Sequence, residues 1–183
     1  MLDALELLNE ISQEELTDTN TSFPNLSPGQ YEFVVDSVEI KDNAAATGKY
    51  ILFQTKLVSV DAKSTAGDQL SPGYPVRHMI NLSPSQKQID KDPEGLEGCI
   101  KKIKQDIAKV VEALVGPSRQ YDPSFQLYRG QTFFAKTRVS KERTDERTGA
   151  TYDPQTEFQT FIPREEDVAA EEINAAYADA NPF

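Results

Sequence analysis

The fold assignment depends on the stretch DPEGLEGCIKKIKQDIAKVVEALVG (residues 92–116). Its apolar residues recur at the i, i+3, i+4, i+7 spacing of one helix face, which predicts a helix lying on a core. Acidic residues and Pro93 suit the start of this helix, and Gly116 followed by Pro117 ends it. The predicted core-facing residues are Leu96, Ile100, Ile103, Ile107, Val110, Val111 and Leu114.

Three strand-like segments precede this helix and two follow it. Each is rich in β-branched and aromatic residues and is bounded by turn-forming residues. The polar segment RTDERTGATYDPQ (residues 143–155), between the last two strands, is predicted to be a long loop. The predicted strands span residues 30–40, 49–60, 75–82, 130–142 and 156–163.

A helix between the third and fourth of five strands is the element order of an OB-fold, a partly open five-stranded barrel. The predicted fold class is therefore mainly β, with an OB-fold-like five-stranded barrel. A small α+β sandwich and a β-sandwich with one inserted helix are the alternatives that this order leaves open.

The acidity of the chain is concentrated at its two ends. The formal net charge is −11, but residues 1–22 and residues 165–183 each carry six acids and no Lys or Arg. Residues 23–164 hold 18 acids and 19 basic residues and are nearly neutral. The predicted organisation is thus an acidic N-terminal segment, an OB-like domain over 23–164 and an acidic, flexible tail. A near-neutral domain leaves nucleic-acid binding open.

The N-terminal segment places Leu2, Leu5, Leu8 and Ile11 at helical spacing, which predicts a short amphipathic helix before a polar linker, with disorder of residues 1–22 as the alternative. It lacks the basic and apolar regions of a signal peptide, and no apolar run reaches the ~20 residues of a membrane span. Cys99 is the single cysteine, consistent with a reducing compartment. A cytoplasmic protein without membrane attachment is expected.

Motifs of common enzyme classes are absent from the sequence. It contains no G-x-x-x-x-G-K-[ST], G-x-S-x-G, H-E-x-x-H or C-x-x-C motif, and His78 is its single histidine. No catalytic residue, cofactor or metal ligand is therefore predicted, and His78 is interpreted as an ordinary strand residue.

An acid cluster, Asp90, Asp92 and Glu94, resembles the start of a calcium loop. Lys101 stands where such a loop needs a bidentate Glu, so capping of the helix is the preferred interpretation. A nuclease that holds magnesium with these acids is the enzymatic alternative.

The predicted strand over residues 130–142 alternates between two faces. One face carries Phe134, Lys136 and Arg138, and the opposite, core face carries Phe133, Ala135 and Val139. The second strand groups Tyr50, Gln54 and Lys56 in the same way. Rings on which bases stack, beside cations that follow the phosphates, suit single-stranded nucleic acid. A solvated strand face is the alternative interpretation.

The candidate nucleic-acid-binding residues are Lys49, Tyr50, Lys56, Arg77, Phe134, Lys136, Arg138, Arg143 and Tyr152. A second basic group, Lys101, Lys102, Lys104 and Lys109, lies on the predicted helix and is interpreted as solvated helix surface.

The segment ADANPF (residues 178–183) places a ring at the end of the acidic run. A disordered solubilising tail accounts for the acids but does not require the ring. A docking peptide accounts for both, since the ring would enter an apolar pocket flanked by cations on a partner. The carboxylates would then compete with nucleic acid for the basic surface. The candidate partner-binding residues are Asp179, Asn181, Pro182 and Phe183.

The element order over about residues 30–163, with a tail that closes on Pro182 and Phe183, resembles the single-stranded-DNA-binding proteins of bacteria and their phages. The resemblance implies a non-catalytic OB-fold protein, located in the host cytoplasm if phage-encoded, that coats DNA in replication and recombination. It also implies a tail that recruits replication or recombination proteins, and it is compatible with a homo-oligomer. The chain departs from the bacterial pattern in having only Asp179 as an acid among its last ten residues and no Trp.

The main alternative function is that of a protein-interaction adaptor or virion component that binds no nucleic acid. The tripeptide Asn181-Pro182-Phe183 also matches the NPF peptide recognised by certain eukaryotic adaptor domains.

Overall fold

The computed structural model describes residues 24–42, 48–84, 95–119, 121–144, 149 and 151–168. The strands are β1 (Gly29–Asp42), β2 (Lys49–Leu57), β3 (Pro75–Asn81), β4 (Thr132–Val139), β5 (Arg143–Thr144), β6 (Thr151–Tyr152) and β7 (Thr156–Ile162). The helices are α1 (Leu96–Val115) and a 3-10 helix (Gln126–Tyr128). Outside the described residues lie the N-terminal segment 1–22, the acid cluster Asp90, Asp92 and Glu94, and the candidate partner-binding residues Asp179, Asn181, Pro182 and Phe183.

Five strands form one antiparallel sheet in the order β3-β2-β1-β4-β7. The predicted mainly β class, with one helix between the third and fourth strands of the sheet, is confirmed. Closure into a barrel is not, because no hydrogen-bonded ladder among the described residues joins β3 to β7. These two edges nevertheless meet through side chains, since the ring centroid of His78 on β3 lies 4.9 Å from that of Phe161 on β7.

The predicted long loop between the last two strands of the sheet was wrong in one respect. It contains the hairpin of β5 and β6, in which Arg143 pairs with Tyr152 and Thr144 with Thr151. A strand of two residues has no alternation to detect, so the hydrophobic pattern of the sequence did not reveal the hairpin.

β1 is the central strand of the sheet, and it pairs with its two neighbours along successive stretches. Its first part pairs with β4, from Gly29 to Val34, and its stretch from Phe33 to Asp42 pairs with β2. A register shift between Val35 and Ser37 inserts one extra residue into β1. Such a bulge bends a strand and increases its twist. The bulge therefore bends β1, so that the part of the strand paired with β4 and the part paired with β2 cover the same core.

Aromatic rings from three strands fill the centre of the core. Phe33 on β1 is fully buried, and its ring centroid lies 5.7 Å from that of Phe133 on β4 and 4.8 Å from that of Phe158 on β7. The C-terminal half of α1 covers this core with Val110, Val111, Ala113, Leu114 and Val115.

The N-terminal half of α1 departs from its prediction, because Leu96 and Ile100 are each 43% exposed. This half lies beside the open edges of β3 and β7, and a cavity of ≈ 540 Å³ separates it from them. The apolar face predicted for α1 is therefore buried only in the C-terminal half of the helix, where the sheet lies beneath it.

The end of α1 is tied to the segment that follows β7. Arg164 donates hydrogen bonds to the carbonyl oxygens of Ala113 on α1 and Thr132 on β4, at 3.2 and 2.6 Å. Gly116 has a φ of 102°, and a Cβ there would lie 2.5 Å from the Cα of Asp167. Residues 165–168, assigned to the tail by sequence, thus begin by passing against the end of the helix.

Neighbouring phenylalanines on β4 provide a matched test of this packing. Phe133 is 3% exposed and Phe134 is 48% exposed. Phe133→Ala should lower the free energy of unfolding by about 3–5 kcal/mol, because it leaves a cavity in the aromatic core. Phe134→Ala, on the outer face, should lower it by less than about 1 kcal/mol. Urea unfolding of both variants measures the difference, and equal losses would contradict the assigned faces.

Candidate nucleic-acid interface

Burial along β4 follows the predicted alternation. Phe133 and Ala135 are buried, whereas Phe134, Lys136 and Arg138 are exposed. Phe134 pairs across the ladders with Glu32 of β1 and Ile162 of β7. A large ring therefore stands on the outer face of the sheet, two residues from Lys136 on the same face.

The outer face continues across β2 and β3. Ile51 and Phe53 are buried, so Tyr50 and Lys56 point to the outer face. Arg77 on β3 lies directly opposite Gln54 on β2. Direct cross-strand partners share one face of a sheet, so Arg77 joins Tyr50 and Lys56.

β1 links these two groups and also sets their separation. Lys56 is opposite Val34 of β1, and Phe134 is opposite Glu32 only two residues away. Lys56 and Phe134 are two strands apart, a lateral distance of about 10 Å. Tyr50 pairs with Lys41 near the other end of the 14-residue β1, so the full set extends along about 40 Å of strand contour. The candidate residues form a band rather than one compact cluster.

Half of the six candidate cations are paired with carboxylates. The Nζ atoms of Lys49 and Lys56 lie 2.9 and 2.8 Å from carboxylate oxygens of Asp42 and Asp36. Arg138 donates from Nε and from a terminal nitrogen to one carboxylate oxygen of Glu157. The other cations, Arg77, Lys136 and Arg143, form no ion pair with another residue of the described part of the chain.

The hairpin of β5 and β6 brings the last two candidates together. The guanidinium carbon of Arg143 lies 5.4 Å from the ring centroid of Tyr152, within the range of a cation–π contact. Both residues are exposed, so the hairpin presents a ring and a cation side by side.

The outer face also carries negative charge. Glu39 on β1 forms an ion pair of 2.9 Å with Lys41 and accepts a hydrogen bond of 2.8 Å from Gln54. The hydrogen bonds from Lys41 and then from Gln54 lower the pKa of Glu39, so they stabilise its carboxylate form. A bound phosphate chain would avoid this position.

Met79 is an outer-face residue that the sequence reasoning missed. It is 63% exposed on β3 and lies opposite Leu52 of β2, two positions from Arg77. The alternation of PVRHMINL (residues 75–82), which groups Met79 with Arg77, was a usable signal. A flexible thioether can pack against the faces of bases as an aromatic ring does.

No protein-family model matches this chain, and no curated protein matches it. In the described part of the chain, no three or more His, Cys, Asp or Glu side chains form a group able to hold a metal ion. No helix among the described residues combines the length and apolar character that a membrane span requires.

His78 lies inside the sheet as a strand residue of β3. Its ring contacts those of Phe53, Phe158 and Phe161, with centroids between 4.9 and 6.3 Å apart. Burial lowers the pKa of His78 to about 4, although the negative charges of Asp106 and Glu157 oppose this shift.

The pKa of His78 predicts a stability that depends on pH. Unfolding restores a pKa of about 6.5, so between pH 6.5 and pH 4 the unfolded chain binds more protons than the folded chain. The free energy of unfolding should therefore fall by about 3 kcal/mol as the pH falls through this window, at 1.36 kcal/mol per pKa unit. Urea unfolding of the wild type and of His78→Phe at several pH values isolates this part, since carboxylates titrate in both. Parallel pH curves would contradict a half-buried His78 that stays neutral in the folded chain.

Proposed function

We propose that this chain is a non-catalytic single-stranded-DNA-binding protein that coats DNA during replication or recombination. The observation that carries the proposal is Phe134, a ring 48% exposed on the outer face of β4 beside Lys136, a cation that forms no ion pair with any described residue. Stacking a base on such a ring contributes about 1–3 kcal/mol and tolerates any base sequence.

The architecture that we propose is an OB-fold, with the sheet as a barrel left partly open between β3 and β7. The strand order, the bulged β1 and the ring contacts between the two edges support it. OB-folds bind oligonucleotides on the face of their second and third strands and on two loops, one after the first strand and one before the fifth. Tyr50, Lys56 and Arg77 belong to such a face, and Arg143 and Tyr152 to such a loop.

Within this surface, the rings of Tyr50, Phe134 and Tyr152 would stack on bases, and the cations would follow the phosphates. The ion pairs on the surface are no obstacle to this role. Exposed pairs contribute about 0–1 kcal/mol, so a phosphate can replace Asp36 beside Lys56 at little cost. Lys136 and Arg77, which form no ion pair within the described part of the chain, need no such exchange there and should be the strongest phosphate contacts.

Charge reversal on β4 tests the surface directly. Lys136→Glu with Arg138→Glu should lower the affinity for oligo-dT by about 10- to 100-fold, since two phosphate contacts become repulsive. The slope of log K against log salt should become shallower by about 1.4, at ~0.7 per phosphate on a single strand. Fluorescence anisotropy with labelled oligo-dT at several salt concentrations measures both quantities.

The matched control for this experiment is Lys102→Glu with Lys109→Glu on α1, which changes the charge of the chain by the same amount. It should retain nearly all of the affinity, because α1 is not part of the proposed surface. Equal losses of oligo-dT affinity in the two double variants would show that the net charge of the chain, and not the outer face, governs binding. Wild-type binding that is insensitive to salt, equally strong for duplex, or absent would refute the proposal, the last outcome favouring the adaptor function.

The tail is proposed to compete with DNA for the outer face and to recruit replication proteins. Residues 165–168 contact the end of α1, so a deletion that leaves the domain intact should remove residues 169–183. This deletion removes three acids and should tighten oligo-dT binding several-fold in the same anisotropy assay. Phe183→Ala retains those acids and should leave DNA affinity unchanged. Weaker DNA binding after the deletion would show that the tail assists binding instead.

A further inference from the structure

A groove of ≈ 340 Å³ lies between α1 and the connector that follows it, which contributes Arg119 and Tyr121. The groove is away from the outer face of the sheet. Its floor consists of apolar parts of Ile107, Ala108, Val111 and Tyr121, and its rim carries Lys104 and Arg119. Tyr121 is 57% exposed and holds its ring edge-on to the buried Phe125, with centroids 5.9 Å apart. The ring of Tyr121, which Phe125 holds in place, is therefore an aromatic wall of the groove that is exposed to solvent.

The rim of this groove is positively charged. Arg119 shares its charge with Glu112 at 2.7 Å, but Lys104 forms no ion pair with any residue that the structure describes. A second hollow, lined by Glu97, Gly98, Ile100, Lys101 and Lys104, continues the groove towards the start of α1, with two cations and one acid around it. The apolar floor and the cationic rim of the groove together suit an occupant that carries large apolar side chains next to carboxylates.

The chain itself leads into this groove. Val168 donates its backbone N–H to the carbonyl oxygen of Val115 at 2.9 Å, and the Asp167 carboxylate accepts from the N–H of Ser118 at 2.8 Å. Val115 is four residues beyond Val111, a distance of about 6 Å along the helix. The described part of the chain thus ends about one helical turn from the groove floor.

The residues that follow have the composition that the groove requires. The segment AAEEINAAYA (residues 169–178) contains two carboxylates and two large apolar side chains, Ile173 and Tyr177. Residues four apart share one face of a helical turn. Five extended residues span about 17 Å, so Ile173 can reach any part of the groove between Val111 and Lys104.

We propose that residues 169–178 dock in this groove in the same molecule, with Ile173 and Tyr177 on its apolar floor. Glu171 and Glu172 would lie towards the rim cations Lys104 and Arg119. A short tether gives an effective concentration in the millimolar range, so even a modest contact is largely formed. The docked segment holds the tip, residues 179–183, outside the groove and next to α1. The groove is separate from the proposed DNA surface, so the segment would have to leave the groove in order to compete with DNA, and docking itself does not depend on nucleic-acid binding.

The chain contains no Trp, which allows a single reporter to be placed in the groove wall as Tyr121→Trp. In the full chain, the emission of this Trp should be blue-shifted relative to the same variant ending at Val168. Collisional quenching by acrylamide should be roughly halved, because contact on one ring face removes about half of its accessible surface.

Two further changes in the full-length reporter test the named contacts. Ile173→Ser with Tyr177→Ser should restore the emission of the shortened chain, and Lys104→Glu should shift it in the same direction. The matched control, Asn174→Ser with Ala178→Ser, alters the adjacent positions and should keep the blue shift.

Identical emission from the full and shortened reporters would overturn the proposal, as would a blue shift that survives Ile173→Ser with Tyr177→Ser. A blue shift that grows with protein concentration would also overturn it, by showing that the groove takes the segment of a second copy. Circular dichroism of the shortened reporter checks that the domain remains folded, so that a null result concerns docking alone.

Discussion

The double pairing of β1 is the constraint on which the rest of the structure depends. This strand provides the hydrogen-bonding partners of β4 along its first part and of β2 along the remainder, with Phe33 and Val34 pairing on both sides. The two ladders occupy successive stretches of β1, and the extra residue of the bulge after Val35 bends the strand where one ladder gives way to the other. The fully buried Phe33 lies at the centre of the overlap, where it packs against rings from β4 and β7.

The same geometry decides which side chains are available for binding. Because strands alternate, the ring core formed by Phe33, Phe133 and Phe158 obliges their neighbours to face outwards. Phe134 is one of those neighbours, and its exposed ring does not belong to the hydrophobic core. The helix contributes on the other side, since its second half covers the core and its first half extends beside the open edges of β3 and β7.

The charges of the outer face form a mixed pattern rather than a basic patch. Lys56 and Arg138 are held by nearby carboxylates, whereas Lys136 is unpaired within the described residues, and Glu39 remains ionised between strands. In the proposed function, rings that add stacking energy to a few cations would favour single strands over duplex DNA, because the bases of a duplex are already stacked.

The local sequence pattern by itself determined the strands of the sheet, the two faces of β4 and the position of α1. The β-branched and aromatic runs identified all five strands of the sheet to within three residues at each end, because strand periodicity and turn residues act over a few neighbours. The same alternation correctly separated Phe133 from Phe134. The position of α1 between the third and fourth strands followed from its apolar seam, which required no knowledge of contacts.

Tertiary structure decided what depends on residues far apart in the chain. The exposure of Leu96 and Ile100 follows from where the sheet ends, which no helical period records. The pairing of Arg138 with Glu157 depends on the register of β4 with β7, across 19 positions of sequence. The groove beside Tyr121 likewise exists only because the connector folds back along α1. A sequence pattern specifies which side of a strand or helix is apolar, but packing alone determines which apolar and charged groups are left without partners.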